Sequence, residues 1–285
     1  MQIPRVDLNW RAQYVQGTTW LGAVTYGDGL FVAVGGNGAI FTSPDGLAWT
    51  KRSFPGSSSP DFNGVAYGAD RYVAVGYGGL IATSPDGVNW TTQTSPTNRE
   101  LNAVAYGRGL FVAVGAGGTI LTSEDGESWT SQNSGTAASL TGVTYGNDRF
   151  VAVGYDLQAS RGVALVSQDG VNWTVQTLEA WPRNVAYGNG VFLTVSGHKV
   201  LTSQDGVRWS LREFLDIYVH RVGFGNGVWV ALGNPGVLYA SRDAVNWTRQ
   251  RNGVVDEGFN GVGYGAGRFV VVGGFGLILT SDVVP

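Results

Sequence analysis

A stretch reading Ser-x-Asp-Gly-x-x-Trp recurs along this chain and constrains its fold more than any other feature. It ends at Trp49, Trp90, Trp129, Trp173 and Trp209, and at Trp247 in the variant "SRDAVNW". A further copy opens at Ser281 and Asp282 and meets the chain end before any Trp, while Trp10 in "VDLNWR" has no Ser-x-Asp before it. Counted from Trp10, successive tryptophans lie 36 to 44 residues apart. Self-similarity at such a period means stacked or radially arranged supersecondary units. Trp10 is then the missing partner of the last copy. Residues 6–11 are expected to pair with the C-terminal unit and close the chain into a ring.

Each unit reads as four short strands. "NGVAY" alternates large and small residues, and "GDGLF" or "GNGVF" follows the equivalent segment in sister units. Asn-Gly or Asp-Gly between apolar runs is a hairpin signal, because both central residues need positive φ. "FVAVG" is a continuous apolar run, as for a strand covered on both faces, and "GTILTS" and "WTSQ" supply the third and fourth strands. Seven such units predict an all-β, seven-bladed β-propeller of four-stranded antiparallel blades, one domain over residues 1–285. Radial closure, fastened by the N-terminal strand, protects the sheet edges.

The Ser-x-Asp-Gly-x-x-Trp stretches resemble the Asp-box, or BNR-type, repeats of sialidase-like propellers. The fuller pattern "YGNGxFVAVG…TSxDGxxWT" is similar to bacterial propeller repeats, over essentially the whole chain. One departure is that no residue separates Asp from Gly; another is Ala244 in place of the Gly. The resemblance implies architecture and transfers no activity, since such folds carry unrelated functions. Against a sialidase, the blade count is seven where that family has six, and no arginine cluster stands out. Photosystem-assembly propellers resemble the chain in the same turns, without a strong basic patch to support that assignment.

The net charge of −3 has no long run of either sign behind it, which excludes a nucleic-acid binder held by phosphate contacts. With no cysteine there is no disulfide, thiolate metal site or thiol nucleophile. No stretch approaches the apolar length of a membrane span, and "MQIPRVDLNW" has no apolar core of signal-peptide type.

Several motifs invite a functional reading and have a plainer one. Asp45, Asp86, Asp125, Asp169, Asp205, Asp243 and Asp282 suggest a ring of carboxylates, but seven equivalent groups suit turn-capping, not a catalytic pair. "VGAGGT" lacks the helix that a phosphate loop needs. The "NWT" sequons at Asn89, Asn172 and Asn246 lie inside the repeat signature. A metal site would need carboxylates such as Asp216 or Glu179 beside His198 and His220, so neither metal nor cofactor is expected. His220 with Tyr218 and Arg221 has the makings of acid–base chemistry on a polysaccharide; an ordinary loop histidine is the plainer reading.

The informative signal is where the repeats disagree. In a blade whose first strand lines the channel, the 2–3 and 4–1 connections share one rim, and here they vary strongly, including the insertion "YDLQASRGVA". The opposite rim is monotonous. Loops on a repetitive scaffold carry function. The variable rim holds aromatics the framework does not require: Trp20, Trp181 and Tyr218 at one repeat position, and Tyr77, Tyr155 and Phe275 near another. Trp181, Tyr218, His220, His198 and Lys199 are expected to converge on one sector beside the Tyr155–Arg161 insertion. The expectation is a non-catalytic, monomeric binding protein. A carbohydrate-binding, lectin-like role for this rim ranks beside a protein-interaction or structural scaffold, either part of a larger surface protein or a designed repeat protein. A polysaccharide-active enzyme is the third alternative. A glycan or protein surface is the expected partner, and an extracellular or cell-surface location goes with that reading.

Overall fold

The computed structural model describes residues 5–56, 59–213 and 218–284, so Asp216 lies outside the described residues. Seven four-stranded antiparallel sheets form the ring. Numbering the blades in chain order, the innermost strands are Leu21–Gly27, Phe62–Gly68, Leu101–Gly107, Ser139–Gly146, Val185–Gly188, Val219–Gly225 and Phe259–Gly265. Each packs beside the innermost strands of its neighbours, and the seventh closes on the first.

Local chemistry explains the strand order. In the first 1–2 turn, Asp28 and Gly29 both hold positive φ (45° and 74°), the geometry that lets a two-residue loop follow the twist of its strands. The Ser-x-Asp-Gly turn is a self-contained hydrogen-bonded unit. In the first blade, Ser43 Oγ donates to Asp45 Oδ1 (3.1 Å) and accepts from Gly46 N–H (2.8 Å). Asp45 Oδ1 also accepts from the backbone amides of Leu47 and Ala48, at 2.8 and 3.0 Å. Trp49 Nε1 then donates to the Gly46 carbonyl at 3.0 Å, tying the turn to the fourth strand. The sequon asparagines belong to the same device: Asn89, Asn172 and Asn246 donate to Asp86, Asp169 and Asp243.

The joint between blades is the aromatic–glycine pair that ends each inner strand. A methyl built on Gly27 would fall 2.0 Å from the Tyr67 ring, and one on Gly107 would fall 2.0 Å from Tyr145. The pattern continues around the circle to Gly265 against Tyr26. Only a residue without Cβ lets the next blade's ring approach so closely. The core accordingly lies between sheets: Val32 and Val34 of blade 1 pack with Phe62, Tyr72 and Ala74 of blade 2.

The ring closes as expected, with a shift in register. Trp10–Tyr14, rather than residues 6–11, forms the outer strand of blade 7, with Trp10 opposite Ser281 and Tyr14 opposite Leu277. The reason is that the signature Trp stands at the start of the fourth strand, as Trp49 precedes Thr50–Arg52. The split turn is rebuilt across the two chain ends: Asn9 donates its amide N–H to Asp282 Oδ1 (3.3 Å) and its side-chain NH2 to Oδ2 (2.8 Å). Upstream, Val6 and Leu8 are buried and seal the core between blades 6 and 7. Gln250 clasps them, accepting from Leu8 N–H (2.9 Å) and donating to the Val6 carbonyl (2.8 Å). In sister blades the equivalent Gln93 and Gln132 donate to Thr83 and Thr122. Blade 6 has Ala240 at that position, which frees Gln250 for the clasp.

Candidate functional site

The inner strands share a feature that organises the channel. Six of them carry a register irregularity near their start, between Leu101 and Ala103 in blade 3 and at the matching place in blades 1, 2, 4, 6 and 7. A bulge leaves one residue unpaired and re-aims its side chain. Here that side chain reaches the next blade. Asn63 Nδ2 donates to the Leu101 carbonyl (3.0 Å), Asn102 to Leu140 (2.8 Å), Thr141 Oγ1 to Pro182 (3.2 Å) and Asn260 to Leu21 (3.0 Å). His220 is the same link in blade 6, its Nε2 donating to the Phe259 carbonyl at 2.8 Å. Because a carbonyl only accepts, Nε2 carries the proton. Burial lowers the His220 pKa; that hydrogen bond opposes the shift, and Arg221 and Arg183 add to it. This histidine is a neutral joint in a belt of side chains.

The belt is broken at two places, and both face the mouth of the channel. Gly22 has no side chain, and the Trp20 ring occupies the space: methyls on Gly22 and Gly36 would lie 2.7 and 2.4 Å from it. In blade 5 the link passes to Asn184, which donates to the Val222 carbonyl and accepts from Val222 N–H, each at 2.9 Å. Arg183 is thereby released to the mouth.

The mouth is a cavity of about 730 Å³ on the variable rim, whose walls include Trp20, Tyr155, Tyr218, Arg183, Arg221 and Asn234. It continues into a throat of about 160 Å³ between the inner strands, which Arg221 also lines. Arg221 is half-buried by area, yet protein encloses it, because its remaining surface faces the channel. Desolvation, then the neighbouring Arg183 charge, brings its pKa down to about 10. The salt bridges among the described residues join Arg5 to Asp7 and Arg71 to Glu127; none reaches the mouth. The cavity's acidic side chain, Glu100, accepts from Asn63 Nδ2 at 3.0 Å.

The sector expected from sequence is gathered in part. Trp20, Tyr155, Tyr218 and His220 line the mouth. Trp181 stands beside it, stacked on Tyr155 with ring centroids 6.0 Å apart and planes 8° from parallel. His198 lies in, and Lys199 closes, a hairpin bend in blade 5 whose Gly197 pairs with Val219, and they are not among the cavity's walls. Arg161 pairs with Asp156 at an exposed hairpin tip. Tyr77 and Phe275 project from the rim, 72% and 75% exposed, and are not among the cavity's walls. Arg183 and Arg221, 38 positions apart in the chain, both line the mouth. Their signal was present as a departure: no sister blade has an arginine or lysine at either repeat position, which hold Gly, Asn, Thr or His in the first case and Ala, Gly or Asn in the second. Among the described residues no cluster of three or more His, Asp and Glu suited to a metal occurs, and no helix is long and apolar enough to cross a membrane.

These features define a seven-bladed β-propeller with an open, polar channel mouth on its variable rim. Its fold is similar to that of YCF48 bound to D1 peptide (TM-score 0.80, 18% identity, covering 100% of this chain and 99% of that one). It is also similar to virginiamycin B lyase from Staphylococcus aureus (0.82, 9%, 98% and 100%) and to the WD40 propeller domain of Doa1 (0.76, 14%, 96% and 96%). At such identities the likeness is one of fold alone. No protein-family model and no curated protein matches the chain.

Proposed function

We propose that this chain is a non-catalytic binding protein that receives a segment of a protein partner at the channel mouth. The observation that carries this reading is the surface around the cavity. Tyr77, Leu157, Trp181, Tyr218, Val255 and Phe275 are exposed large apolar side chains, all on connections of the variable rim. On the opposite rim the exposed large apolar residues are the smaller Val171, Val207, Val245 and Val283. Apolar anchors spread around a polar pocket suit a peptide, which presents side chains outward and amides inward. The binding of a D1 peptide by YCF48, a protein of the same fold, supports this reading. The seven turns are of Asp-box type on this view, and they are scaffold.

A glycan is the second reading, favoured by the stacked Tyr155–Trp181 pair beside the Asn side chains of the mouth. Parallel screening of a peptide array and a glycan array with wild type and Trp20→Ala separates the two. Peptide binding that falls at least tenfold in the variant is expected. Binding confined to glycans, or peptide binding that Trp20→Ala leaves unchanged, refutes the proposal.

A further inference from the structure

We propose that Arg183 and Arg221 form a carboxylate-binding site where the mouth narrows into the throat, so that a bound peptide enters the channel with a carboxylate foremost. The inference deepens the peptide-binding reading and rests on it for the source of the carboxylate, though not for the site itself.

Three observations converge. The first is that Arg221 is a departure the fold does not need. Its position in the other inner strands is held by Ala23, Gly64, Ala103, Gly142, Asn184 and Gly261, and all seven blades form the same sheet. The second is that, among the described residues, neither arginine has an ion-pair partner. Both line the same cavity, and desolvation, with the Arg183 charge second, lowers the Arg221 pKa. An enclosed cation beside a like charge destabilises the protein that holds it. The third is the balance of charge that the described residues bring to the cavity: Arg183 and Arg221 are positive, Glu100 is negative, and His220 is held neutral by burial. The excess of one positive charge matches a carboxylate monoanion better than a phosphate dianion. Guanidinium groups are suited to carboxylates because their N–H donors match the two oxygens. The throat admits a small group and little more.

The test uses the full chain, with acetate as the simplest carboxylate and acetamide as its neutral isostere. Thermal unfolding is followed against each, and against chloride at matched ionic strength. Acetate alone is expected to raise the Tm of wild type, by about 2 °C or more at saturation. Arg221→Met keeps the apolar stem and removes the charge; it is expected to melt above wild type and to lose the acetate response. Arg183→Gln is expected to weaken the response at least tenfold in half-saturating concentration. Equal responses to acetate and acetamide, an unchanged response in Arg221→Met, or a variant that melts below wild type overturns the site.

Acetylated glycine pentapeptides then identify the source: a free C-terminus, a C-terminal amide, and an amide with a central Glu. Retention of either acidic form but not the plain amide supports the carboxylate-first entry. Equal binding of all three overturns it while leaving peptide binding intact. A response to acetate without any peptide binding would refute the proposed function and leave the anion site standing.

Discussion

Leu8→Ala tests how much of this ring depends on its N-terminal clasp. Leu8 is 6% exposed and packs, with Val6, into the core shared by blades 6 and 7. Truncating a buried Leu to Ala costs about 2–5 kcal/mol, the spread depending on how far the cavity collapses. Leu8 lies near a chain end, where relaxation is easiest, so the lower half of that range, about 2–3 kcal/mol, is expected. For a chain of this size each kcal/mol moves the midpoint by about 2–3 °C, giving a fall of about 4–9 °C. The clasp has a polar half as well. Gln250→Ala leaves the Leu8 N–H and Val6 carbonyl without their side-chain partner, at about 1–3 kcal/mol. Because the two sites share one segment, the double variant is expected to lose less than the sum of the single losses. Urea unfolding of the four proteins gives the coupling, with size-exclusion chromatography checking that the freed edge does not recruit a second copy. A Leu8→Ala midpoint within 1 °C of wild type would show that residues 6–8 do not hold the ring closed.

Asp125→Ala removes the acceptor of the Glu127 and Ser128 amides and is expected to lower stability by about 1–2 kcal/mol while leaving mouth binding unchanged. The Ser128 and Glu127 backbone hydrogen bonds hold the Asp125 pKa at about 2, below its ordinary 3.8. Its folded pKa is depressed, so its contribution is full above about pH 4 and disappears as pH falls through about 2. The gap between wild type and variant in denaturant titrations should therefore close over that interval; a gap independent of pH counts against the role. Gly107→Ala would place a methyl 2.0 Å from the Tyr145 ring, and overpacking of this kind is expected to cost about 1–3 kcal/mol by urea midpoint. An unchanged midpoint would mean that the aromatic–glycine joint is not the constraint described above.

The parts of this molecule legible in the sequence are those whose physics is local. Ser43, Asp45, Gly46 and Trp49 make their turn with bonds that span at most three residues, so the motif reports its own geometry wherever it occurs. Repetition converts that local signal into blade number, and the orphan Trp10 and Asp282 point to a closed ring. Tertiary structure decided what depends on one blade meeting the next. The Val6–Leu8 clasp requires Ala240 to leave Gln250 unengaged. His220 looks like a reactive group in the sequence and proves to be one link of a belt, because Phe259 presents its carbonyl from the adjacent blade. Arg183 and Arg221 look like scattered charges until the ring sets blades 5 and 6 side by side at the mouth. Side-chain proximity across blades depends on how sheets pack, and a repeat pattern carries no record of which departures will face each other.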